Sequence, residues 1–239
     1  MKNNKWVLIT GANKGLGKEI ASLFGSNGYN LILTSKSHQK ELDDFSSYLE
    51  HNYVIEVLTV VGDFLKDDPF NDLHQLLLSK KICLDTVILN AALTNDSFFE
   101  DKTRETFLNV LNVNLVSPFL LVKMLLPFIA KTGNIVLVSS NNGLDCYYKE
   151  SLEYDASKAG LINIGHNLST ICAPIRVNTI CPGWMNTKEN ASLLGDFKKK
   201  EEASIILKRF ADPKEVAEVI FFVASSKASY VNDAVIRVD

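Results

Sequence analysis

Hydrophobic positions along this chain fall into two alternating kinds of run. Short, mostly apolar runs such as Trp6-Val7-Leu8-Ile9-Thr10, Leu31-Ile32-Leu33-Thr34 and Leu84-Asp85-Thr86-Val87-Ile88-Leu89 alternate with longer stretches. In the longer stretches apolar residues recur three and four apart, as Ile20, Leu23 and Phe24 do. The first kind predicts strands and the second helices. On that basis strands fall at 6–10, 31–34, 53–60, 84–89, 133–138, 175–180 and 231–238, and helices at 15–26, 41–50, 69–79, 104–129, 152–170 and 213–225. Pro69 and the pair Asp212-Pro213 mark helix starts, because proline's fixed φ and missing N–H suit a first helical turn. Strands that are apolar throughout, rather than alternating, belong to parallel sheets covered by helices on both faces. No Gly/Ser/Pro linker or repeat divides the chain, and the irregular stretch at about 184–210 has the size of a lid, not of a domain. The expectation is one α/β domain over residues 1–239, a doubly wound parallel sheet of about seven strands.

Composition narrows the function classes. With 25 Lys plus Arg against 28 Asp plus Glu, the net charge is -3. The run Lys198-Lys199-Lys200 is answered by Glu201-Glu202, so no nucleic-acid footprint is expected. Cys83, Cys146, Cys172 and Cys181 are widely spaced, which fits neither a zinc site nor a disulfide framework. Met1 to Lys5 leads into an apolar run too short for a signal-peptide core. The longest apolar stretch, Val110 to Ala130, is interrupted by Asn112, Asn114, Pro118, Lys123 and Pro127. It reads as a buried or subunit-facing helix, since polar groups are costly inside a bilayer. A cytoplasmic protein with no membrane partner is expected.

In a doubly wound sheet, ligands bind beyond the carboxyl ends of the strands. Those ends carry Gly11, Asp63, Asn90, Ser139-Ser140 and Pro182-Gly183. The run Thr10-Gly11-Ala12-Asn13-Lys14-Gly15-Leu16-Gly17 joins the first strand to the first helix. Glycines there permit a tight turn and close backbone approach to a pyrophosphate at a helix N-terminus, the Rossmann-type arrangement; the alternative is a turn with no ligand. In Tyr154-Asp155-Ala156-Ser157-Lys158, the phenol and the ammonium are four apart and share a helix face. A nearby cation is expected to lower the tyrosine's pKa and make it a usable acid. Such a pair alone reads as an exposed helical pair; Ser140 at a strand end upstream favours the catalytic reading.

Together these motifs resemble the short-chain dehydrogenase/reductase family across essentially the whole chain, with Asn90-Ala91-Ala92, Asn114 and the stretch from Pro182-Gly183 to Thr187 in the family's order. The resemblance implies an NAD(P)-dependent oxidoreductase. It makes Tyr154 the general acid and Ser140 the group that polarises the same carbonyl oxygen, with Ser139 as fallback. It makes Lys158 the partner of Tyr154 and the nicotinamide ribose, and Asn114 the support of a proton relay; the alternative for Asn114 is a helix-kink amide. The implied cofactor set is Gly11, Asn13, Lys14, Gly15, Leu16 and Gly17 in the loop, Ser35 and Lys36 after the second strand, and Asp63 at the adenine. Asn90, Ala91, Tyr154, Lys158, Pro182, Gly183 and Thr187 complete it. For Asp63 and Thr187 the plainer alternative is a helix cap. No carboxylate ends the second strand, which reads Thr34-Ser35-Lys36, and Lys14 adds a second cation. That favours NADP(H) and leaves NAD(H) open.

Asn90 to Asp96 is further similar to 3-oxoacyl-(acyl-carrier-protein) reductases. Lys131 fits one basic position that would dock a carrier, whereas Ala173 replaces the other. The substrate is therefore expected to be a carbonyl compound or its alcohol: a 3-oxoacyl thioester, carrier-linked or free, or a small ketone or sugar. A homodimer or homotetramer is implied, packed through the helices at 104–129 and 152–170. Departures from the family are Ala92 for the usual glycine, Asn232 for another, an end at Val238-Asp239 without a glycine-rich tail, and a shortened Thr170 to Pro174 connection. A non-catalytic nicotinamide sensor or scaffold is the alternative function. His38, His51, His74 and His166 are expected on helices away from the strand ends, Cys146 and Cys181 as small buried hydrophobes, and Tyr147, Tyr148 and Trp184 beside the pocket or in ordinary packing.

Overall fold

The computed structural model describes residues 5–188, 190 and 195–239. Its strands are β1 (Trp6–Ile9), β2 (Asn30–Ser35), β3 (Val57–Val61), β4 (Leu84–Leu89), β5 (Ile129–Val138), β6 (Arg176–Pro182) and β7 (Val235–Val238). All pair in parallel, in the order β3-β2-β1-β4-β5-β6-β7. The order reverses between β1 and β4, which opens a crevice at their carboxyl ends. Helices α1 (Gly15–Ser26), α2 (Gln39–Asn52) and α8 (Pro213–Ala224) share an apolar core with one face; α3 (Asp68–Lys80), α5 (Ser117–Leu125) and α6 (Leu152–Ile171) share one with the other. β1, β2 and β4 are buried almost throughout, which is why their sequences do not alternate.

The helix expected over 104–129 is broken. It runs as α4 (Arg104–Leu111), a π-helical turn (Asn112–Val116), α5 and a final 3-10 turn (Leu126–Phe128). The Ser117 hydroxyl donates to the Asn112 carbonyl at 2.8 Å, and Pro118 brings no N–H of its own. By length and composition Arg104–Phe128 could cross a membrane, yet 44% of its most apolar window is buried inside this fold.

Three strand starts also move. β5 begins at Ile129 rather than Gly133. β3 begins at Val57 rather than Tyr53, because Tyr53 caps α2 and the Glu56 N–H donates to the Asn30 side chain. β7 begins at Val235 rather than Val231. Side-chain amides join the backbone bonds there: Asn232 accepts from the Val177 N–H and Asn178 from the Ala234 N–H. Asn232 is thus built into the strand's approach. Within the stretch 184–210, α7 (Gly195–Ser204) forms a helix with no buried residue, while residues 189 and 191–194, like residues 1–4, lie outside those described.

Phe24 of α1 meets Tyr29 edge-on at 5.2 Å and Phe221 of α8 at 4.9 Å, joining the two helices on that face. Phe24→Ala is expected to cost about 3–5 kcal/mol through lost burial and the cavity left behind. Urea unfolding measures it; a loss under about 1 kcal/mol would show that the helices close over the gap.

Candidate active site

The crevice is anchored by one asparagine. The Asn90 side chain donates to the carbonyls of Thr10 (3.0 Å) and Gly11 (3.1 Å). The N–H groups of Asn90 and Ala91 donate to the Thr10 hydroxyl at 2.9 and 3.0 Å. β1 and β4 are thereby fixed side by side where the strand order turns. Gly11 and Gly15 adopt φ of +67° and +51°, and a Cβ at Gly17 would overlap the Gly11 carbonyl and come within 2.8 Å of the Asn90 amide nitrogen. α1 can start this close to the strand only with glycine there. Among the described residues no side-chain cap closes its N-terminus, which is the condition for holding a pyrophosphate.

A cleft of about 880 Å³ opens from this turn. Gly11, Asn13, Lys14, Gly15, Leu16 and Gly17 line one end with Ser35, Lys36 and Asp63; Asn90, Ala91, Gly183 and Thr187 line its middle. Pro182 does not line it; it ends β6 buried behind Gly183. Lys36 lies 3.0 Å from Asp63. Burial alone would push the Asp63 carboxyl up, but the Leu65 N–H and Lys36 outweigh it and hold the group below its usual range. His38 corrects the sequence expectation: it is the residue just before α2 and lines the cleft beside Lys36 and Ser37. The chain leaves β2 in an open turn three residues long, so the imidazole stays at the strand end.

The other end of the cleft carries Ser140 and Tyr154. Ser140 follows β5 and lines the cleft with Tyr154, where its hydroxyl favours the ionised form of the phenol. Ser139 is directed elsewhere, donating to the Lys158 carbonyl at 2.8 Å. Ser140 is thus the member of the pair that faces Tyr154. Lys158 is 2% exposed, with its ammonium donating to the Val138 carbonyl at 2.8 Å and lying 5.5 Å from the Tyr154 ring centre. Burial pushes Lys158 down to about 8 and Tyr154 up to about 12, the latter partly relieved by Ser140 and reinforced by Asp155 and Asp96. The expected lowering of the tyrosine by the lysine is not seen. Burial of the phenol dominates, and the ammonium is turned toward a carbonyl rather than the phenol oxygen.

Asn114 stands behind this pair, 1% exposed, in the π-helical turn. Its oxygen accepts from the Leu93 N–H at 2.7 Å; its amide donates to the Leu93 carbonyl at 2.9 Å and to the Ser157 hydroxyl at 3.0 Å. Gly143 lets the loop after Ser140 rest on α6, since a Cβ there would come within 2.7 Å of the Lys158 backbone. Sequence reasoning missed a second buried charge. Lys102 and Glu153 pair at 2.6 Å with side chains 6% and 0% exposed, and Asn95 also donates to Glu153. Lys102 further donates to the Glu150 carbonyl, tying the loop after β4 to the start of α6. A lysine 51 positions from its glutamate carries no local pattern.

A parallel sheet with a glycine cradle at its switch point, and a Ser–Tyr–Lys group across the cleft, is the architecture of a dinucleotide-dependent oxidoreductase. The chain belongs to the short-chain dehydrogenase/reductase family: the family model described as enoyl-(acyl carrier protein) reductase matches residues 11–239. It is similar to the 3-oxoacyl-(acyl-carrier-protein) reductase FabG of Thermotoga maritima, 33% identical over 239 residues, 98% of this chain and 96% of that one. The FabG of Aquifex aeolicus is 30% identical over 97% of this chain and 94% of its own. Among solved structures, a short-chain dehydrogenase/reductase of the glucose/ribitol dehydrogenase type from Brucella melitensis superposes with a TM-score of 0.91 at 28% identity, covering 99% of this chain and 95% of that chain.

The buried lysine has a pH signature. Its folded pKa, about 8, lies below the ordinary 10.5. Between those values the unfolded chain binds the proton more readily, so this group makes stability rise with pH, by up to about 1.4 kcal/mol per unit. Lys158→Met removes that contribution. Its stability relative to wild type should be greatest at pH 7.5 and shrink toward pH 9.5 in urea unfolding; parallel curves would contradict the buried, partly neutralised ammonium.

Proposed function

We propose that this protein is an NADP(H)-dependent reductase that converts a carbonyl compound to its alcohol. The observation that carries the reading is the joining of Ser140, Tyr154 and Lys158, backed by Asn114, at the open end of a cradle suited to a dinucleotide. When bound, the nicotinamide supplies the hydride. Tyr154 then donates its phenol proton to the carbonyl oxygen, and the hydroxyl of Ser140 hydrogen-bonds the same oxygen as negative charge gathers there. Phenolate is disfavoured by burial, so an ammonium at Lys158 that swings toward the new phenolate assists the transfer. Asn114 holds Ser157 one residue before Lys158, and so keeps the lysine's turn of helix in register with the loop after β4.

Several features support NADP(H) over NAD(H). β2 ends without a carboxylate, and Lys14, Lys36 and His38 line the cleft where a ribose 2′-phosphate would lie. The angucycline ketoreductase LanV, solved with NADP, and the L-sorbose reductase of Gluconobacter frateurii, solved with NADPH and L-sorbose, share the fold at 24% and 23% identity. The FabG relatives support a 3-oxoacyl thioester as one candidate substrate; exposed Lys131 is retained for a carrier. A cytoplasmic homodimer or homotetramer, one domain with a small lid over the cleft, completes the reading. Leu108, Val116, Phe119 and Leu120 of the α4–α5 run and Leu152 of α6 are exposed apolar side chains on the helices that would pair; a monomer by light scattering would contradict it.

Parallel binding titrations with NADPH and NADH test the cofactor. NADPH should bind more tightly, and Lys14→Ala with Lys36→Ala should weaken NADPH by roughly tenfold, about 1.4 kcal/mol, and leave NADH nearly unchanged. Tyr154→Phe should bind NADPH normally yet lose reduction. Equal binding of both cofactors would overturn the phosphate argument, and unchanged turnover in Tyr154→Phe the catalytic one.

A further inference from the structure

The substrate half of the cleft has a composition of its own. Tyr148, Trp184 and Phe197 line it, drawn from the loop after β5, the chain after β6 and α7. Tyr148 and Phe197 each meet Trp184 edge-on at 5.8 Å, and Phe210, 1% exposed and outside the cleft, stacks on the indole at 5.4 Å from behind. The wall is therefore an assembled aromatic surface. Its polar atoms are turned away together: the Tyr148 hydroxyl donates to Glu201 of α7 at 2.6 Å, and the Trp184 N–H lies 2.8 Å from that hydroxyl and 3.2 Å from the same carboxylate oxygen.

Several further polar groups there are engaged in the same way. The Asn142 side chain donates to Asp155 at 2.6 Å and accepts from Ser140. Asn141 donates to Asp239 at 3.2 Å, and Ser151 donates to Asp96 at 2.6 Å. A polyhydroxylated substrate would have to compete with these bonds for contacts to Asn141, Asn142, Tyr148 and Ser151. Charge excludes a second class. Asp96 and Glu150 line this half, and among the described residues lining it none is Lys or Arg. An anionic group placed there would lose its hydration and face carboxylates without a counter-ion.

Resting on the reductase reading above, we propose that the substrate class is a flat, apolar carbonyl compound with no negative charge near the carbonyl, an aryl ketone or its equivalent. Its ring packs on Tyr148, Trp184 and Phe197, and its carbonyl oxygen reaches Ser140 and Tyr154. Glu201 acts as a positioning residue that holds the two polar aromatic side chains in the wall.

Matched probes test this: 2-acetylnaphthalene, its anionic counterpart 6-acetyl-2-naphthoate, and 1,3-dihydroxyacetone. Each is followed by calorimetric binding to the NADP-loaded protein and, separately, by NADPH oxidation. The neutral aryl ketone should bind and turn over at least about tenfold better than either other probe, a difference of 1.4 kcal/mol. Tyr148→Ser should weaken its binding several-fold, and Glu201→Gln should narrow the gap between the neutral and anionic probes. Trp184→Ala, which disturbs the packing on Phe210, is not needed for the decision. Tighter binding of the naphthoate or of dihydroxyacetone, or no binding of 2-acetylnaphthalene, overturns the substrate class and spares the reductase reading. Selective binding of 2-acetylnaphthalene without turnover of any probe supports the wall and overturns the reductase reading instead.

Discussion

One side-chain amide holds the site together. Asn114 answers both the N–H and the carbonyl of Leu93 and gives its remaining proton to Ser157. It thus joins the loop after β4, the helix between β4 and β5, and the helix that carries Tyr154 and Lys158. A regular α-helix would keep its pitch through residue 114 and has no reason to widen. The π-helical turn supplies an extra residue there, at the cost of regular hydrogen bonds that Ser117 partly restores. Each of the three segments would otherwise reach the cleft independently. With Asn114 in place, they reach it as one body.

That rigidity lets the fold bury charge. Lys158 is almost inaccessible beneath the phenol, and Lys102 with Glu153 is buried on the neighbouring turn. Removing one partner of such a pair costs about 3–5 kcal/mol, whereas removing both for apolar groups costs little. A buried ion pair is therefore poor value as stabilisation, and its position is informative. Lys102 and Glu153 join the loop after β4 to the residue preceding Tyr154, so the loop cannot shift without leaving two charges unpaired in an apolar setting. Lys158 differs: its single strong partner is a backbone carbonyl, which tolerates either protonation state and leaves the amine able to move.

Much of this was legible in the sequence, for definable reasons. The parallel sheet showed because its strands are covered on both faces, and the dinucleotide cradle because it is made of backbone. Gly11, Gly15 and Gly17 are required by φ or by contact with a main-chain atom, and such requirements fall within one short stretch of sequence. Tyr154 and Lys158 were readable because one helical turn brings them together. What stayed hidden depends on residues distant in sequence. His38 was assigned to helix because nothing local marks the open turn after β2. The break at Asn114 was masked by an apolar pattern that continues across it, and Lys102 with Glu153 shows no periodicity. The lysine's expected effect on Tyr154 failed for a related reason: i, i+4 spacing fixes proximity, but desolvation depends on everything packed around both groups.

The two halves of the cleft consequently differ in what can specify them. A dinucleotide presents the same pyrophosphate to every protein that binds it, so the cradle can be written in glycines and helix ends, and its sequence signature recurs. A substrate wall is written in side chains that satisfy one another. Here the polar atoms of Tyr148, Trp184, Asn141, Asn142 and Ser151 are each taken up by a carboxylate: Glu201, Asp239, Asp155 or Asp96. Those carboxylates lie on α7, at the end of β7, on α6 and on the loop after β4. No short motif can encode five such pairings. The selectivity of this half follows from which hydrogen bonds the protein has already made with itself, a property that only the assembled fold displays.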